Sequence, residues 1–500
     1  SKVDSLSSLF GEKSAFVLPE LTALDESVLK GYIADPDLSD YDYSLKRVLA
    51  EKSHVLTEGE EKLLSLSGET LSSFRDIFTK LDNADLPLTP VEYKGETLPL
   101  THGTYGMMMR SHDRELREKV FKQYYGAYIS LMNVISATYA GSVKKDVFLA
   151  KAKKYSSALN MALSNEDVDE AVYKNLVKSV NTALPLLHDY MATKKKELGL
   201  DEFHMYDVYV PSVENAELEL EYDDAYDLVI KGLSVLGEEY GKLLKKAHDE
   251  RWISVYETEG KRSGAYSAGV FDTHPFVLLN YQKTTNEVFT IAHEMGHSMH
   301  TYFSNKTQPY AKADYKIFVA EVASTVNESL LVKYLLKNEK DPHMRKYLLS
   351  YLMEMIRTTL FRQTQFAEFE EYSHASVENG EPLTRDGMCE KYLEINKKYY
   401  GEAVVSDDEI KYEWARIPHF YRAFYVYKYA TGIISALAIS DRILTEGKPA
   451  VDDYFKFLSS GGSDGPVELL KIAGVDLTTD APFNAAFKTF KAALEEYKIL

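Results

Sequence analysis

The sequence predicts a mainly α protein with one small β-sheet, and three observations carry that prediction. Amphipathic stretches with apolar residues at helical spacing recur along most of the chain, at 114–154, 222–250, 341–373 and 484–497. Strand-like runs are few, at 203–210, 252–257 and 274–281. No tandem repeat or low-complexity tract interrupts this pattern, so neither a solenoid nor a fibrous chain is expected.

In chain order, Thr57 with Glu60 reads as a capping box ahead of a long helix, and Ser164 with Asp167 reads the same way further on. Residues 82–103, rich in Pro, Gly and Thr, form the best loop of the N-terminal half. Residues 261–269 are small and glycine-containing, and 274–281 then reads as a short strand directly before the most informative helix. That helix opens at Thr284-Thr285-Asn286-Glu287, which offers cap side chains and an early acid. Val288, Phe289, Ala292, Met295, Gly296, Met299 and Tyr302 give it the small and apolar positions of a largely buried helix of about 18 to 20 residues. A second apolar helix is expected over 314–336.

Within the first of these helices stands His293-Glu294-Met295-Gly296-His297. Composition alone would generate H-E-x-x-H about 0.03 times in a chain of this make-up, so coincidence is a poor explanation. At 100° per residue the two imidazoles lie about 40° apart on one face, where they can close on one metal ion, with Glu294 beside the open position. His300 falls on the same face a turn further on, and a core or hydrogen-bonding histidine is the reading taken for it.

A catalytic zinc site normally has three protein ligands. A histidine six residues after the second one would be the metzincin solution, but position 303 is Phe. In the following helix Glu321 stands alone among Phe318, Val319, Ala320, Val322 and Ala323, and a metal would offset the cost of burying it. Glu321 is therefore the expected third ligand, against the plainer reading of a solvated edge shared with Glu328. Ser324, Asn327 and Glu328 follow at helical spacing as candidates to bond the ligand side chains.

The string His293 to His300, followed by Ala-Glu-Val-Ala-Ser-Thr-Val-Asn-Glu from Ala320 to Glu328, resembles the oligoendopeptidase F branch of the thimet-oligopeptidase family. Further similarity lies in Arg416-Ile417-Pro418-His419-Phe420-Tyr421, in the run from Phe424 to Gly432, and in the glycine-rich Gly461-Gly462-Ser463 with the segment from Pro466 to Asp476. The resemblance covers most of 100–498. It implies one zinc ion on His293, His297 and Glu321, with Glu294 as the general base toward the metal-bound water. It also implies that His419 and tyrosines from the same segment stabilise the oxyanion, Tyr427 first and Tyr421 second, with Tyr425 facing substrate. Gly264, Tyr266 and His274 are expected at bound peptide, the glycine-rich loop closing over it and the strand pairing with its backbone. Mn²⁺ or Co²⁺ can occupy such a donor set in place of Zn²⁺.

The same resemblance implies an elongated two-lobed helical body around a deep substrate channel, with the small sheet next to the zinc helix. An N-terminal lobe over 1–185 and a catalytic lobe over 186–500 are expected, the chain beginning inside the N-terminal lobe relative to the family. A walled channel admits short flexible peptides and rejects folded proteins, so the expected activity is endopeptidase cleavage of oligopeptides. A zinc exopeptidase such as a peptidyl-dipeptidase, and a non-catalytic zinc-containing peptide-binding protein, are the rival readings.

Composition bounds the remainder. Five hundred residues with 45% hydrophobic content can bury a large core. A formal charge of −19 argues against nucleic acid as a partner, since phosphate contacts need clustered Lys and Arg, and Lys144-Lys145 and Lys194-Lys195-Lys196 read as solvated helix faces. No apolar run approaches 18 residues, and Ser1-Lys2-Val3-Asp4 carries no charged-then-apolar leader, so no membrane partner or export is expected; the missing initiator Met suggests a processed or trimmed start. Cys389 is the only cysteine and reads as a structural thiol, which excludes an intrachain disulfide and fits the reducing cytoplasm. Cleavage preference and oligomeric state are not encoded in these patterns.

Overall fold

The computed structural model describes every residue of the chain except 1, 3–5, 7, 8, 11, 12, 15 and 215, so three of the four residues behind the leader expectation lie outside the described set. Among the described residues helices dominate and no strand exceeds three residues.

The N-terminal half is built from α1 (Glu58–Lys80), a hairpin of β1 (Val91–Tyr93) and β2 (Glu96–Leu98), then α2 (Arg114–Ser130), α3 (Met132–Ala152) and α4 (Glu170–Glu197). Thr57 and Glu60 form the expected capping box at the start of α1. Ser164 and Asp167 do not: Ser164 sits in the last turn of Ala158–Glu166, Asp167 ends that helix at φ +59, and Asp169 caps α4 instead. The amphipathic stretch at 114–154 is two helices broken at Leu131, and the loop at 82–103 contains the hairpin, with Lys94 and Gly95 both at positive φ in its turn. The lobe boundary expected at 185 falls inside α4, which continues through Pro185 to Glu197.

Short strands β3 (Ile253–Ser254), β4 (Tyr266–Ala268) and β5 (Phe276–Leu278) make a three-stranded sheet of order β3-β5-β4, in which β3 runs parallel and β4 antiparallel to β5. The run at 203–210 is no strand. It contains a 3-10 turn at Met205–Asp207, where the Asp207 carboxylate is drawn inward by Arg114 and Arg117.

The core of the second half is a helix-on-helix layer. Helix α5 (Thr285–Thr307) packs on α6 (Ile317–Asn338), and α6 on α9 (Tyr427–Glu446), with α7 (Pro342–Ile356), α8 (Arg362–Glu378) and α10 (Ala481–Ile499) around them. Thr284 caps α5 by accepting from the Glu287 amide, as its sequence predicts. Helix α6 buries Phe318, Val319, Val322, Val326 and Leu330 together with Ser324, Asn327 and Ser329, the all-round burial of a central helix. Close approach to α5 depends on Gly296: a Cβ there would stand 2.5 Å from Ser324 Cα and 2.6 Å from the Ala323 carbonyl oxygen. The expected helix over 341–373 is α7 and α8 joined by a π turn at Arg357–Phe361, where buried Arg357 pairs with Glu354 at 2.7 Å. Among the described residues no helix is long and apolar enough to cross a membrane.

Candidate metal centre

Two helices bring the three expected ligands together. On α5, His293 and His297 present their Nε2 atoms 3.2 Å apart. On α6, Glu321 Oε2 lies 3.4 Å from His293 Nε2 and 3.8 Å from His297 Nε2. Among the described residues this is the one group of three or more His, Cys, Asp or Glu side chains able to hold a metal ion.

The donor set fits zinc. Ligand atoms 2.0 to 2.1 Å from a tetrahedral ion stand about 3.3 Å from one another, close to all three separations. The imidazoles are oriented for it as well. His293 Nδ1–H donates to Glu328, and the backbone of Ala320 bonds the His297 ring, which leaves an Nε2 lone pair of each facing the shared centre. Electrostatics agree: burial disfavours charge on His293, yet Glu328 and Glu321 outweigh it and raise its pKa well above the usual histidine value. A potential that holds a proton there so firmly also suits a cation. Burial, assisted by His293, pulls His297 down to about 4; Glu321 is raised by burial but brought below its usual range by the two imidazoles.

Glu294 is 6% exposed, and its Oε2 is buried without a partner. Burial pushes its carboxyl up to about 7, and the Ser267 backbone amide bonds it. Ser267 Oγ also bonds Ser298 Oγ at 2.8 Å, which ties strand β4 to helix α5 beside the acid. In the order β3-β5-β4 the strand β4 is an edge, so the side of Ser267 that meets Glu294 faces away from β5.

The remaining expected residues separate into two groups. His419, in the turn Pro418–Tyr421, stacks on Tyr425 with ring centroids 5.5 Å apart, and Tyr429 Oη lies 3.4 Å from His419 Nε2. Glu321 is among the charges that raise the Tyr429 phenol, after burial and Tyr425, so Tyr429 lies within electrostatic reach of that ligand. Tyr427 and Tyr421 point elsewhere. Tyr427 packs on Tyr173 and Phe318, and Glu166 is the acid that acts on it; Tyr421 stacks on Phe78 at 4.4 Å, and both hydroxyls are buried without partners. Tyr429, which is not among the expected residues, lies against both His419 and Tyr425.

Ser324 donates to Glu321, and Asn327 bonds the Ala292 carbonyl and Tyr240 rather than an imidazole. His300 is a core residue, stacked on Tyr315 at 3.7 Å and held by burial at about 3. Gly264, at φ +85, lies in a loop pinned by Asn280, which donates to its carbonyl at 2.8 Å; Tyr266 is half-exposed on β4. His274 stacks flat on Trp252 and donates to the Pro275 carbonyl, so its ring serves the wall of the sheet. A cavity of about 470 Å³ adjoins the start of α5, lined by Arg110, Asn286, Tyr351 and Glu354 among others.

Residues 107–489 match the model of peptidase family M3, and 20–87 match that of oligopeptidase F. Oligopeptidase PepF of Bacillus subtilis is 45% identical over 501 residues, spanning 100% of this chain and 75% of that protein. The crystal structure of oligoendopeptidase-F from Enterococcus faecium superposes with a TM-score of 0.81 at 36% identity, covering 99% of this chain and 85% of that one. A structure from Chlamydophila abortus gives 0.93 at 39% identity, covering 99% and 84%.

Proposed function

The chain belongs to peptidase family M3, and on that premise we propose that it is a zinc-dependent endopeptidase acting on internal bonds of short oligopeptides, with Glu294 as general base. One observation carries this reading: three donors spaced as the edges of a tetrahedron, with a buried, unpartnered carboxylate alongside. A zinc ion on His293, His297 and Glu321 would supply Lewis acidity, which lowers the pKa of water from 15.7 to about 7 and polarises a carbonyl.

The side chains supply the rest. Glu294, held near 7 by burial, is matched to accepting a proton from the attacking water at Oε2 and returning it to the leaving amine nitrogen. Glu328 fixes the His293 ring. His419 and Tyr429 are the proposed hydrogen-bond donors to the developing oxyanion, supported by their contact with each other and by the stacking of Tyr425 on His419. The outward edge of β4 can pair with a peptide backbone, with Gly264 and Tyr266 beside it, and the cavity at the start of α5 gives room for residues beyond the scissile bond. A two-lobed body around a groove belongs to the same proposal, with α4 spanning the junction. Cys389, its thiol pushed up to about 11 by burial, is inert and compatible with work in the cytoplasm.

Replacing Glu294 with Gln tests the assignment, since the variant should bind zinc as the parent does and lose peptide cleavage; an unaltered rate removes Glu294 from the chemistry. A peptide acetylated at one end and amidated at the other tests the class. Cleavage identifies an endopeptidase, and a requirement for a free terminus favours the exopeptidase alternative.

A further inference from the structure

The groups proposed to meet the oxyanion do not share one rigid element. His419 lies in a 3-10 turn, Tyr429 lies in α9, and residues 422–426 join them. In the middle of that connection Phe424 has φ +52, a left-handed conformation that a residue with a Cβ adopts only when its surroundings impose it. The ring of Phe424 is buried, tilted on His374 at 4.6 Å and edge-on to Tyr173 at 5.9 Å. Its backbone amide donates to Glu370 Oε1 at 2.6 Å.

Glu370 is a costly residue in that place. It projects from α8, is 1% exposed, and its second oxygen is buried without a partner. Burial raises its carboxyl to about 8, opposed in part by His374. An acid so placed costs the fold stability, because one of its oxygens is left without a hydrogen bond, and it takes no part in the metal centre. Because it fixes the one left-handed residue between His419 and the tyrosines, it sets their relative aim.

We infer that Glu370 is a positioning residue for the oxyanion arm: its carboxyl oxygen holds the left-handed turn at Phe424, so that His419, Tyr425 and Tyr429 face the metal centre together. The inference rests on the peptidase reading above. It is distinct from the known ligand set, because Glu370 touches neither the metal ligands nor Glu294.

The test compares Glu370→Leu, which removes the acceptor, with Glu370→Gln, which keeps a carbonyl oxygen for the Phe424 amide. An internally quenched peptide gives kcat and KM, and metal stoichiometry and thermal midpoint are measured on the same zinc-loaded samples. The expected result is a fall in kcat of about 10²-fold for Glu370→Leu with unchanged KM and metal content, and recovery of most of that loss in Glu370→Gln. Parental kcat in Glu370→Leu, or an equal loss in both variants, overturns the inference. Amide hydrogen exchange on the parent supplies a readout that needs no variant: the Phe424 amide should be strongly protected through its bond to Glu370, and exchange at the rate of an unprotected amide also overturns it. An inactive zinc-loaded parent would instead defeat the peptidase reading, with the exchange result still reporting on the turn itself.

Discussion

Gly296→Ala puts the geometry of the metal centre to a quantitative test. The added methyl would lie 2.5 Å from Ser324 Cα and 2.6 Å from the Ala323 carbonyl oxygen, both on the backbone of α6, so no side chain can swing aside. An ordinary contact of 3.4 Å requires the helices to part by about 0.9 Å at that point. Overpacking of this kind costs about 1 to 3 kcal/mol, while Ala in place of Gly within a helix recovers about 1 kcal/mol, so the net loss of fold stability is at most about 2 kcal/mol. Metal affinity should suffer more. Glu321 sits on α6 one turn before Ser324, and ligand distances tolerate only about 0.2 Å, so a helix shift several times larger should weaken zinc binding at least tenfold. Competition against a chromophoric chelator measures the affinity, and the thermal midpoint of the metal-free protein measures the fold. Gly126→Ala in α2 is the control, since nothing lies within 4 Å of its new methyl, and it should gain up to about 1 kcal/mol. Parental zinc affinity in Gly296→Ala would refute the argument that contact between α5 and α6 sets the ligand spacing.

Three further outcomes follow from the same geometry. Tyr429→Phe should lower kcat by about 10² to 10³, worth roughly 2.7 to 4 kcal/mol, while Tyr427→Phe leaves it unchanged because that hydroxyl is buried without a partner; the reverse ranking in steady-state kinetics would return the oxyanion role to Tyr427. Glu328→Ala should weaken zinc binding by about 10 to 100-fold by freeing the His293 ring, read by the same chelator competition, and intact affinity would show that the hydrogen bond is dispensable. Glu370 also carries a signature in stability against pH. Its folded carboxyl titrates near 8 against a usual 4.5, so between those values the folded chain holds a proton that the unfolded chain has lost, and stability falls as pH rises through that window. Glu370→Leu should flatten this decline in thermal midpoints taken from pH 5 to 8, and parallel profiles for the two proteins would count against it.

Much of the centre was legible in the chain because helical spacing alone aligns residues four apart. His293 and His297 could be placed on one face without knowing anything else, and Glu321 stood out as a lone acid in an apolar helix. Glu328 was visible only as a candidate, since its bond to His293 depends on how α6 crosses α5, which Gly296 determines. Which tyrosine accompanies His419 was hidden for a different reason. Four residues from 424 to 427 decide which phenols share a face, and the left-handed backbone at Phe424 leaves no mark in local propensity. Distant contacts also decided the run at 203–210, whose alternating residues read as a strand until Arg114 and Arg117 drew Asp207 inward. The break of 114–154 at Leu131 has no capping side chain, and the fold gives it no local cause.

The backbone unit at Ser267 faces two tasks at once. Its amide bonds Glu294, and in an antiparallel strand the carbonyl of the same residue points the same way, outward along the open margin of the sheet. A chain laid against that margin therefore pulls on the very peptide group that tunes the acid. If Glu294 is the base proposed above, misaligned guests should be penalised in turnover more than in occupancy.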